Sequence, residues 1–406
     1  MLAGGEIKSS PGLGESATDR LFSVDMLRGL VIVLMALDHA RLAYGFTPFY
    51  PTDLSLTTTG FFLTRWVTHF CAPVFVFLAG TGIYLRKNKG GNINELSRFL
   101  LTRGLWLIVL EILWVNIWFS NAPPWQTGSF FVQVLWVLGI SMICMAALIR
   151  LPVKWVLAIS LVMIFGHNLF DEFGIRDVGS FGELWAVLHI RSMITLMAHP
   201  LLTMFIAYPV IPWIGVMGVG YALGTWMVLP GAERRRKLLL AGAALTVLFI
   251  VLRWTNMYGD PAEWMVRREG AWFTILSFLN TTKYPPSLLF LLMTIGPSLI
   301  LLAWFESAKG VWRKVLEVYG RVPMFFYLIH LPVISLSAAL YWDTQLRQSV
   351  NFLAGVIRLP SGYEPDLLTV YIAWIVISAA LFPVCLYYGR LKFNSAGRIR
   401  SFLSYF

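Results

Sequence analysis

The chain has 406 residues, of which 58% are hydrophobic, 15% aromatic and only 13% charged. This composition leaves little room for a soluble domain and is typical of a protein that crosses a membrane several times. The net charge of +11 does not indicate a nucleic-acid partner, because the positive residues gather in alternate connections between apolar runs. We therefore expect an integral membrane protein whose partner is the lipid bilayer.

Ten apolar runs approach the length of about 20 residues that spans a hydrocarbon core. They lack the roughly ten-residue alternation of a barrel strand, and backbone groups in lipid need internal partners, so each run is predicted to be a helix. The predicted fold class is all-α, a polytopic transmembrane helix bundle of about ten spans. The predicted spans cover residues 24–46, 61–85, 98–119, 130–149, 153–170, 203–229, 238–252, 286–305, 316–340 and 367–388.

Basic residues predict how these spans are oriented. They occur in "RKNKG" at 86–90, at Arg150 and Lys154, in "ERRRK" at 233–237 and in "KGVWRK" at 309–314. If ten spans alternate, all of these connections lie on one side, which the positive-inside rule assigns to the cytoplasm. Both termini are therefore predicted to be cytoplasmic.

The predicted organisation is a single membrane domain with two short tails. Residues 1–23 form a polar cytoplasmic tail that is not expected to be cleaved, residues 24–390 the transmembrane domain, and residues 391–406 a basic cytoplasmic tail. The three cysteines lie inside apolar spans without the spacing of a disulfide framework or a metal site. We expect them to pack in the core, and no metal site is predicted.

The first span contains the most informative polar pattern, "VDMLRGLVIVLMALDH" at residues 24–39. Arg28 and His39 are eleven residues apart, which places them on one helix face and about 16 Å apart along the axis. Asp25 lies one turn before Arg28 and can hold its guanidinium, whereas Asp38 is predicted to point elsewhere. A cation at the cytoplasmic mouth suits a phosphate-bearing donor, and a deeper imidazole suits proton transfer. The alternative for Arg28 is an anchor that reaches to the membrane surface.

Other ionisable or amide side chains lie inside predicted spans, where burial makes them candidates for function. Glu111 and Asn116 lie in the outer half of the third span, His69 near the outer start of the second, and His330 midway along the ninth. The alternative for each is a polar contact that only joins two helices. For His167, near the outer end of the fifth span, that structural role is the prediction.

The stretch "NTTKYPPSL" begins at Asn280 and ends in the eighth span. Its two consecutive prolines interrupt the helix and leave Lys283 and Tyr284 free to face a cavity. These side chains can then bond a carbohydrate hydroxyl or a thioester carbonyl. The alternative is a proline-shaped loop with a lysine that extends to the membrane surface.

Five stretches together carry a resemblance to a known family. They are "SVDMLRGLVIVLMALDH", "HFCAPVFVFLAGTGIYL", "YPVIPWIGVMGVGYALG", "LNTTKYPPSLLFLLMTIGP" and "YGRVPMFFYLIHLPVI". They resemble bacterial membrane proteins related to the catalytic domain of heparan-alpha-glucosaminide N-acetyltransferase, and the resemblance extends over nearly the whole chain. Arg28 and His39 also match the R-x10-H pattern of the broader transmembrane acyltransferase superfamily.

The resemblance implies an acyltransferase of the bacterial inner membrane. Its donor is acetyl-CoA or a similar thioester, reached from the cytoplasm, and its acceptor is a carbohydrate at the opposite face. The expected catalytic residues are His39, His69 and Glu111. The residues expected to hold the acyl-CoA are Asp25, Arg28 and Arg103. Those expected to bind the acceptor are Asn116, Asn280, Lys283, Tyr284 and His330.

One departure from the family affects the choice of base. In the lysosomal enzyme an Asn stands where His39 stands here, and the catalytic His lies in the following loop. The corresponding loop, residues 47–60, has no His, and its nearest counterpart is His69. His39 is the preferred base, with His69 assisting or replacing it.

Two other kinds of protein compete with the enzyme. A proton-linked transporter or flippase predicts a midplane site, paired broken helices and an inverted repeat, none of which is evident by eye. A structural scaffold leaves the buried His and Glu residues unexplained. The sequence is compatible with a homodimer but does not require one.

Overall fold

The computed structural model describes residues 21–120, 124–198, 201–346, 363–395 and 403. The predicted tails lie largely outside these residues. The helices are α1 (Phe22–Tyr44), α2 (Thr59–Thr68), α3 (Cys71–Asn88), α4 (Ile93–Leu110), α5 (Asn116–Ser120), α6 (Pro124–Thr127), α7 (Val134–Leu148), α8 (Val153–Gly166), α9 (Gly182–Leu188), α10 (Ile211–Met227), α11 (Gly231–Thr255), α12 (Ala271–Leu279), α13 (Leu288–Phe305), α14 (Val311–Arg321), α15 (Pro323–Leu346) and α16 (Leu367–Asn394). A π-helical turn, Glu111–Val115, joins α4 to α5.

The all-α prediction is confirmed, since 73% of the structure is helical. It omitted one small sheet of three strands, β1 (Ser129–Val132), β2 (Ser192–Met197) and β3 (Leu202–Ile206). The strand order is β1-β3-β2, with β1 parallel and β2 antiparallel to β3. The predicted spans 130–149 and 203–229 were therefore wrong at their starts. Short apolar runs rich in aromatic and β-branched residues cannot be assigned to helix or strand by periodicity alone.

Seven helical segments of the described chain are long and apolar enough to cross a membrane. They are Thr59–Asn88, Ile93–Phe119, Val153–Phe170, Gly231–Thr255, Leu288–Phe305, Pro323–Thr344 and Leu367–Asn394. The other three predicted spans also contain helices, but these are more charged or shorter. Helix α1 carries four charged side chains, and α7 and α10 have only 15 and 17 residues. The count of ten and the positions of the termini stay predictions.

Two of the predicted spans are each built from two helices. The span 61–85 is divided between α2 and α3 at His69 and Phe70. The span 316–340 is divided between α14 and α15 at Val322, which precedes a proline and so is disfavoured as a helical residue.

Helix α1 is central to the bundle despite its charges, and packs against α14, α16, α15 and α3. It crosses α14 where the two backbones lie so close together that only glycine fits between them. A Cβ at Gly29 would collide with the carbonyl oxygen of Leu316, and one at Gly320 with that of Asp25. Such close backbone contact is typical of small residues at membrane helix interfaces. It fixes how α1 is rotated about its own axis and therefore the directions in which its polar side chains point.

Candidate active site

Two cavities lie beside α1, and they share none of their lining residues. The first, here called the His39 cavity, has a volume of about 330 Å³ and is lined by His39 together with Asp38, Arg65, Lys283 and Tyr284 among others. The second, here called the Arg28 cavity, has a volume of about 270 Å³. It is lined by apolar side chains and by Arg28, Arg86 and Arg103.

One helical turn separates the two cavities on two different helices. Along α3, Ala72 lines the His39 cavity and Phe75 the Arg28 cavity; along α15, Tyr327 and Met324 do the same. Three helical residues rise about 4.5 Å, so the partition between the cavities is thin compared with a membrane. Along α1, where Met35 lines the His39 cavity and Arg28 the other cavity, seven residues or about 10 Å separate the two.

The Arg28 cavity is strongly basic, because three arginines line it and none of its described lining residues is acidic. Arg86 stacks over the ring of Phe99 at 3.7 Å, and Arg103 lies 6.0 Å from the same ring. Asp25 lies just outside the lining and forms a 3.6 Å ion pair with Arg28, as predicted from their spacing. Guanidinium groups in such a cavity suit phosphate oxygens.

In the His39 cavity, the ring of His39 is hydrogen-bonded to another histidine. His39 Nδ1 lies 2.7 Å from His330 Nε2, and His330 Nδ1 lies 2.9 Å from the carbonyl oxygen of Phe326. Because a carbonyl oxygen only accepts, Nδ1 of His330 carries a proton, and Nε2 of the neutral ring is then an acceptor. His39 therefore donates from Nδ1, which leaves its own Nε2 as a proton acceptor. This arrangement prepares His39 for general-base chemistry.

Beside His39 lies a buried ionic cluster that sequence reasoning missed. The Asp38 carboxylate accepts hydrogen bonds from Arg65 Nη1 at 2.6 and 2.7 Å, from Arg41 Nη2 at 2.9 Å and from the Thr68 hydroxyl at 3.1 Å. The expectation that Asp38 points away from the site was wrong, since Asp38 and His39 both line the cavity. The i, i+3 spacing of Asp38 and Arg41 was the available signal.

The predicted loop before α13 does contribute to the His39 cavity. Lys283 and Tyr284 both line it, and the Lys283 ammonium lies 5.2 Å from the Tyr284 ring centre. The loop is held by Asp260, whose carboxylate accepts from the Thr282 N–H and hydroxyl, both at 2.8 Å, and from the Ser287 hydroxyl at 2.6 Å. Asp260 therefore positions both cavity side chains.

The Tyr284 hydroxyl has an unusual electrostatic environment. Burial alone would raise its pKa, but the positive charges of Lys283 and Arg65 outweigh burial and hold the pKa below its usual range. Arg65 also donates a 3.3 Å hydrogen bond to the hydroxyl. The surrounding positive charges thus favour the ionised form of the hydroxyl.

Glu111 and Asn116, both completely buried, line neither cavity. The Glu111 carboxylate accepts hydrogen bonds from the backbone N–H groups of three residues at the start of α7, Gln133, Leu135 and Trp136. Asn116 donates to the carbonyl of Phe131 and accepts from its N–H, as a neighbouring strand would. Both side chains join α4 and α5 to the segment that contains β1 and α7.

His69, Asn280 and His330 also lie outside both cavity linings. His69 is buried at the junction of α2 and α3, with its ring 5.4 Å from that of Phe290. Asn280 donates to the Thr52 carbonyl at 2.9 Å, which ties the loop before α13 to the loop before α2. Of the residues predicted from sequence, the structure brings His39, Lys283 and Tyr284 to one cavity and Arg28 and Arg103 to the other.

Residues 20–258 match a sequence model described as heparan-alpha-glucosaminide N-acetyltransferase, catalytic. The matched range covers more than half of the chain and contains His39, Arg28 and Arg103. The chain belongs to this family. The family is one of membrane acetyltransferases, and the apolar helices of the structure agree with an integral membrane protein. No curated protein matches the chain.

The family match does not reach the C-terminal part of the candidate site. Lys283, Tyr284 and His330 lie after residue 258, in the two C-terminal stretches of the resemblance noted above. The match therefore covers three of the five stretches that carry the resemblance. Only the fold shows that Lys283, Tyr284 and His330 lie near His39. Helix α15 and the loop before α13 complete a cavity that begins within the family domain.

Proposed function

We propose that the protein is an acyl-CoA-dependent acyltransferase that moves an acetyl group through the membrane domain to an amino-sugar or other carbohydrate acceptor. The observation that carries this proposal is the pair of cavities one helical turn apart along α3 and α15. Arginines line one of them with no acidic residue among its described lining, and His39 lines the other. The Arg28 cavity binds the donor from the cytoplasm, and the His39 cavity holds the acceptor at the external face.

The chemistry of the donor agrees with the Arg28 cavity. Coenzyme A carries phosphate groups at one end and a thioester at the end of a flexible, mostly uncharged arm. Arg28, Arg86 and Arg103 bind phosphate oxygens by charge-assisted hydrogen bonds. The arm then passes the partition formed by α3 and α15, so that the thioester carbonyl meets the acceptor beside His39.

His39 is the proposed base in the transfer step. Its Nε2 takes the proton of the acceptor amine or hydroxyl while that nitrogen or oxygen attacks the thioester carbonyl. A C–N or C–O bond forms, the C–S bond breaks, and the proton passes from His39 to the departing thiolate. His330 accepts the hydrogen bond from Nδ1 and so holds the ring in the reactive tautomer.

The remaining predicted residues take positioning or binding roles. Lys283 and Tyr284 present donors to acceptor hydroxyls or to the thioester carbonyl, whose negative charge increases during attack. Glu111 and Asn116 hold α7, whose first residue lines the His39 cavity. His69 and Asn280 do not reach the His39 cavity, so their proposed role is to support its walls.

The direct test is transfer by purified protein in sealed proteoliposomes. Acetyl-CoA on one side and glucosamine on the other should yield free thiol and an acetylated sugar, each dependent on both substrates. Thiol release can be followed with a thiol-reactive dye and the sugar by mass spectrometry. Sugar flux that needs no acyl donor, without thiol release from any short acyl-CoA, would instead identify a transporter.

Loss of a phosphate-binding arginine should weaken binding of the acetyl-CoA donor and leave binding of the acceptor unchanged. We expect Arg28→Gln to raise the KM for acetyl-CoA by about 10- to 100-fold, because a charge-assisted hydrogen bond is worth about 1.5–3 kcal/mol. The KM for the acceptor should change little. The matched control is Arg98→Gln, an exposed arginine of α4 that does not line the cavity. An equal rise in both KM values for Arg28→Gln would contradict the assignment.

The role of His330 can be separated from simple packing by two replacements. His330→Gln keeps an acceptor for the Nδ1–H of His39, whereas His330→Leu keeps volume but removes the acceptor. We expect the Gln variant to retain measurable kcat and the Leu variant to lose about 10²-fold or more, as for a base in the wrong tautomer. The pH–rate profile should shift in both. The same kcat in the Gln and Leu variants would show that the hydrogen bond between His39 and His330 is unimportant.

A further inference from the structure

We propose that His167, Asp171 and His189 bind a divalent transition-metal ion, with Zn²⁺ as the preferred species. Each residue offers one ligand atom, and the three atoms lie within 4.8 Å of one another. His167 begins the turn that follows α8, Asp171 comes directly after this turn, and His189 follows α9. The proposed site is separate from both cavities.

The distances require only a small closure of the side chains around an ion. His189 Nε2 already lies 3.2 Å from Asp171 Oδ1. Ligand atoms of a tetrahedral zinc site, each about 2.1 Å from the metal, are about 3.4 Å apart. His167 therefore has to approach the other two ligand atoms by at most about 1.4 Å, a shift within reach of a side-chain rotation. Two imidazoles and one carboxylate form a ligand set that zinc accepts, with water in the fourth position.

The unsatisfied nitrogen atoms of the two histidines point to a missing partner. His167 and His189 are only 3% and 2% exposed. Both ring nitrogens of His167 and Nδ1 of His189 lack a hydrogen-bond partner within the described part of the chain. Buried polar atoms without partners are costly and rare. A metal bond at His167 satisfies one of these atoms, whereas His189 would bind the ion through Nε2, the nitrogen that lies beside Asp171.

The carboxylate of the cluster is both oriented and accessible. Asn168 Nδ2 donates a 2.7 Å hydrogen bond to Asp171 Oδ2, which leaves Oδ1 directed to His189. The side chain of Asp171 is 19% exposed, so an ion can enter from solvent and water can complete its coordination. Hydrogen bonds of this kind orient ligands in established metal sites.

The proposed ion would hold the segment 167–189 against the start of α13, the helix that follows the loop before α13. Asn168, next to His167, accepts a 2.9 Å hydrogen bond from the backbone N–H of Leu288 at the start of α13. The loop before α13 carries Lys283 and Tyr284. The role is therefore structural, since none of the three ligands lines the cavity where transfer is proposed.

Metal binding by the untagged full chain tests this proposal, and the readout does not depend on enzyme activity. After chelator treatment and dialysis in detergent, Zn²⁺ should bind at about one ion per chain and raise the unfolding temperature. Co²⁺ should give visible absorption bands of a low-coordinate site. His189→Ala and Asp171→Asn should each weaken Zn²⁺ binding by about 100-fold, since even residues that only orient a ligand change affinity 10- to 100-fold.

The matched control is Asp177→Asn, a carboxylate of the same segment that accepts from the Gly174 N–H and lies outside the cluster. It should bind Zn²⁺ as the unmodified chain does. The absence of stoichiometric Zn²⁺ or Co²⁺ binding by the unmodified chain would overturn the proposal, and this measurement does not require any variant to fold. Equal affinity in Asp177→Asn and His189→Ala would overturn it as well.

Discussion

Replacing His39 with Gln should abolish acetyl transfer while the protein still folds. The variant loses the free Nε2 that takes the acceptor proton, and we expect kcat to fall by about 10²- to 10⁴-fold, the usual contribution of a general base. Gln keeps a polar group that can donate to His330, so the buried histidine is not left without a partner. The measurement is thiol release and sugar acetylation under saturating acetyl-CoA.

The matched control for this prediction is His69→Gln. His69 is buried and belongs to the same α1–α3 region as the partly buried His39, but it does not line the cavity. We expect its kcat to stay within a few-fold of the unmodified enzyme. If His69→Gln were inactive and His39→Gln active, the base would be His69, as the departure from the lysosomal enzyme allows. Both variants should bind acetyl-CoA with unchanged affinity.

Replacing Asp38 with Asn should destabilise the protein more than any other single change considered. The carboxylate is the partner of two buried guanidiniums, those of Arg41 and Arg65. Without it, both positive charges stay buried and uncompensated, and breaking a buried ion pair by removing one partner costs about 3–5 kcal/mol. The measurement is the unfolding temperature in detergent and the yield of monodisperse protein.

A surface ion pair and a double variant make the Asp38 prediction specific. Glu233→Gln removes the partner of Lys237 in an exposed pair at the start of α11, and should leave the unfolding temperature nearly unchanged. Adding Arg65→Gln to Asp38→Asn removes one uncompensated charge and should restore part of the lost stability. If the double variant were less stable than the sum of the two single changes, the loss would not come from unpaired charge.

The placement of Arg28 and His39 could be predicted from local information. The eleven-residue spacing of Arg28 and His39 places both on one face of α1, and each lines one of the two cavities. The spacing of Asp25 and Arg28 likewise predicted their ion pair. These inferences succeeded because helical periodicity fixes the relative directions of side chains within one helix, whatever the helix packs against.

Contacts between distant parts of the chain were beyond such reasoning. His330 is 291 residues from His39, yet it determines which nitrogen of His39 is available. Glu111 and Asn116 were expected at the site, but they bond the backbone around β1 and α7. Depth in a membrane can be read from position in a span, whereas the neighbour that a buried polar group meets depends on how the helices pack.

The sequence by itself determined that this is a helical membrane protein of an acetyltransferase family, because apolar composition, helical periodicity and family motifs are properties of neighbouring residues. Only the tertiary structure decided which polar side chains meet in the two cavities, that Asp38 belongs to the His39 cavity, and that a small sheet lies among the helices. Those outcomes follow from long-range packing, since each buried charge or hydrogen-bonding group needs a partner that another part of the chain supplies.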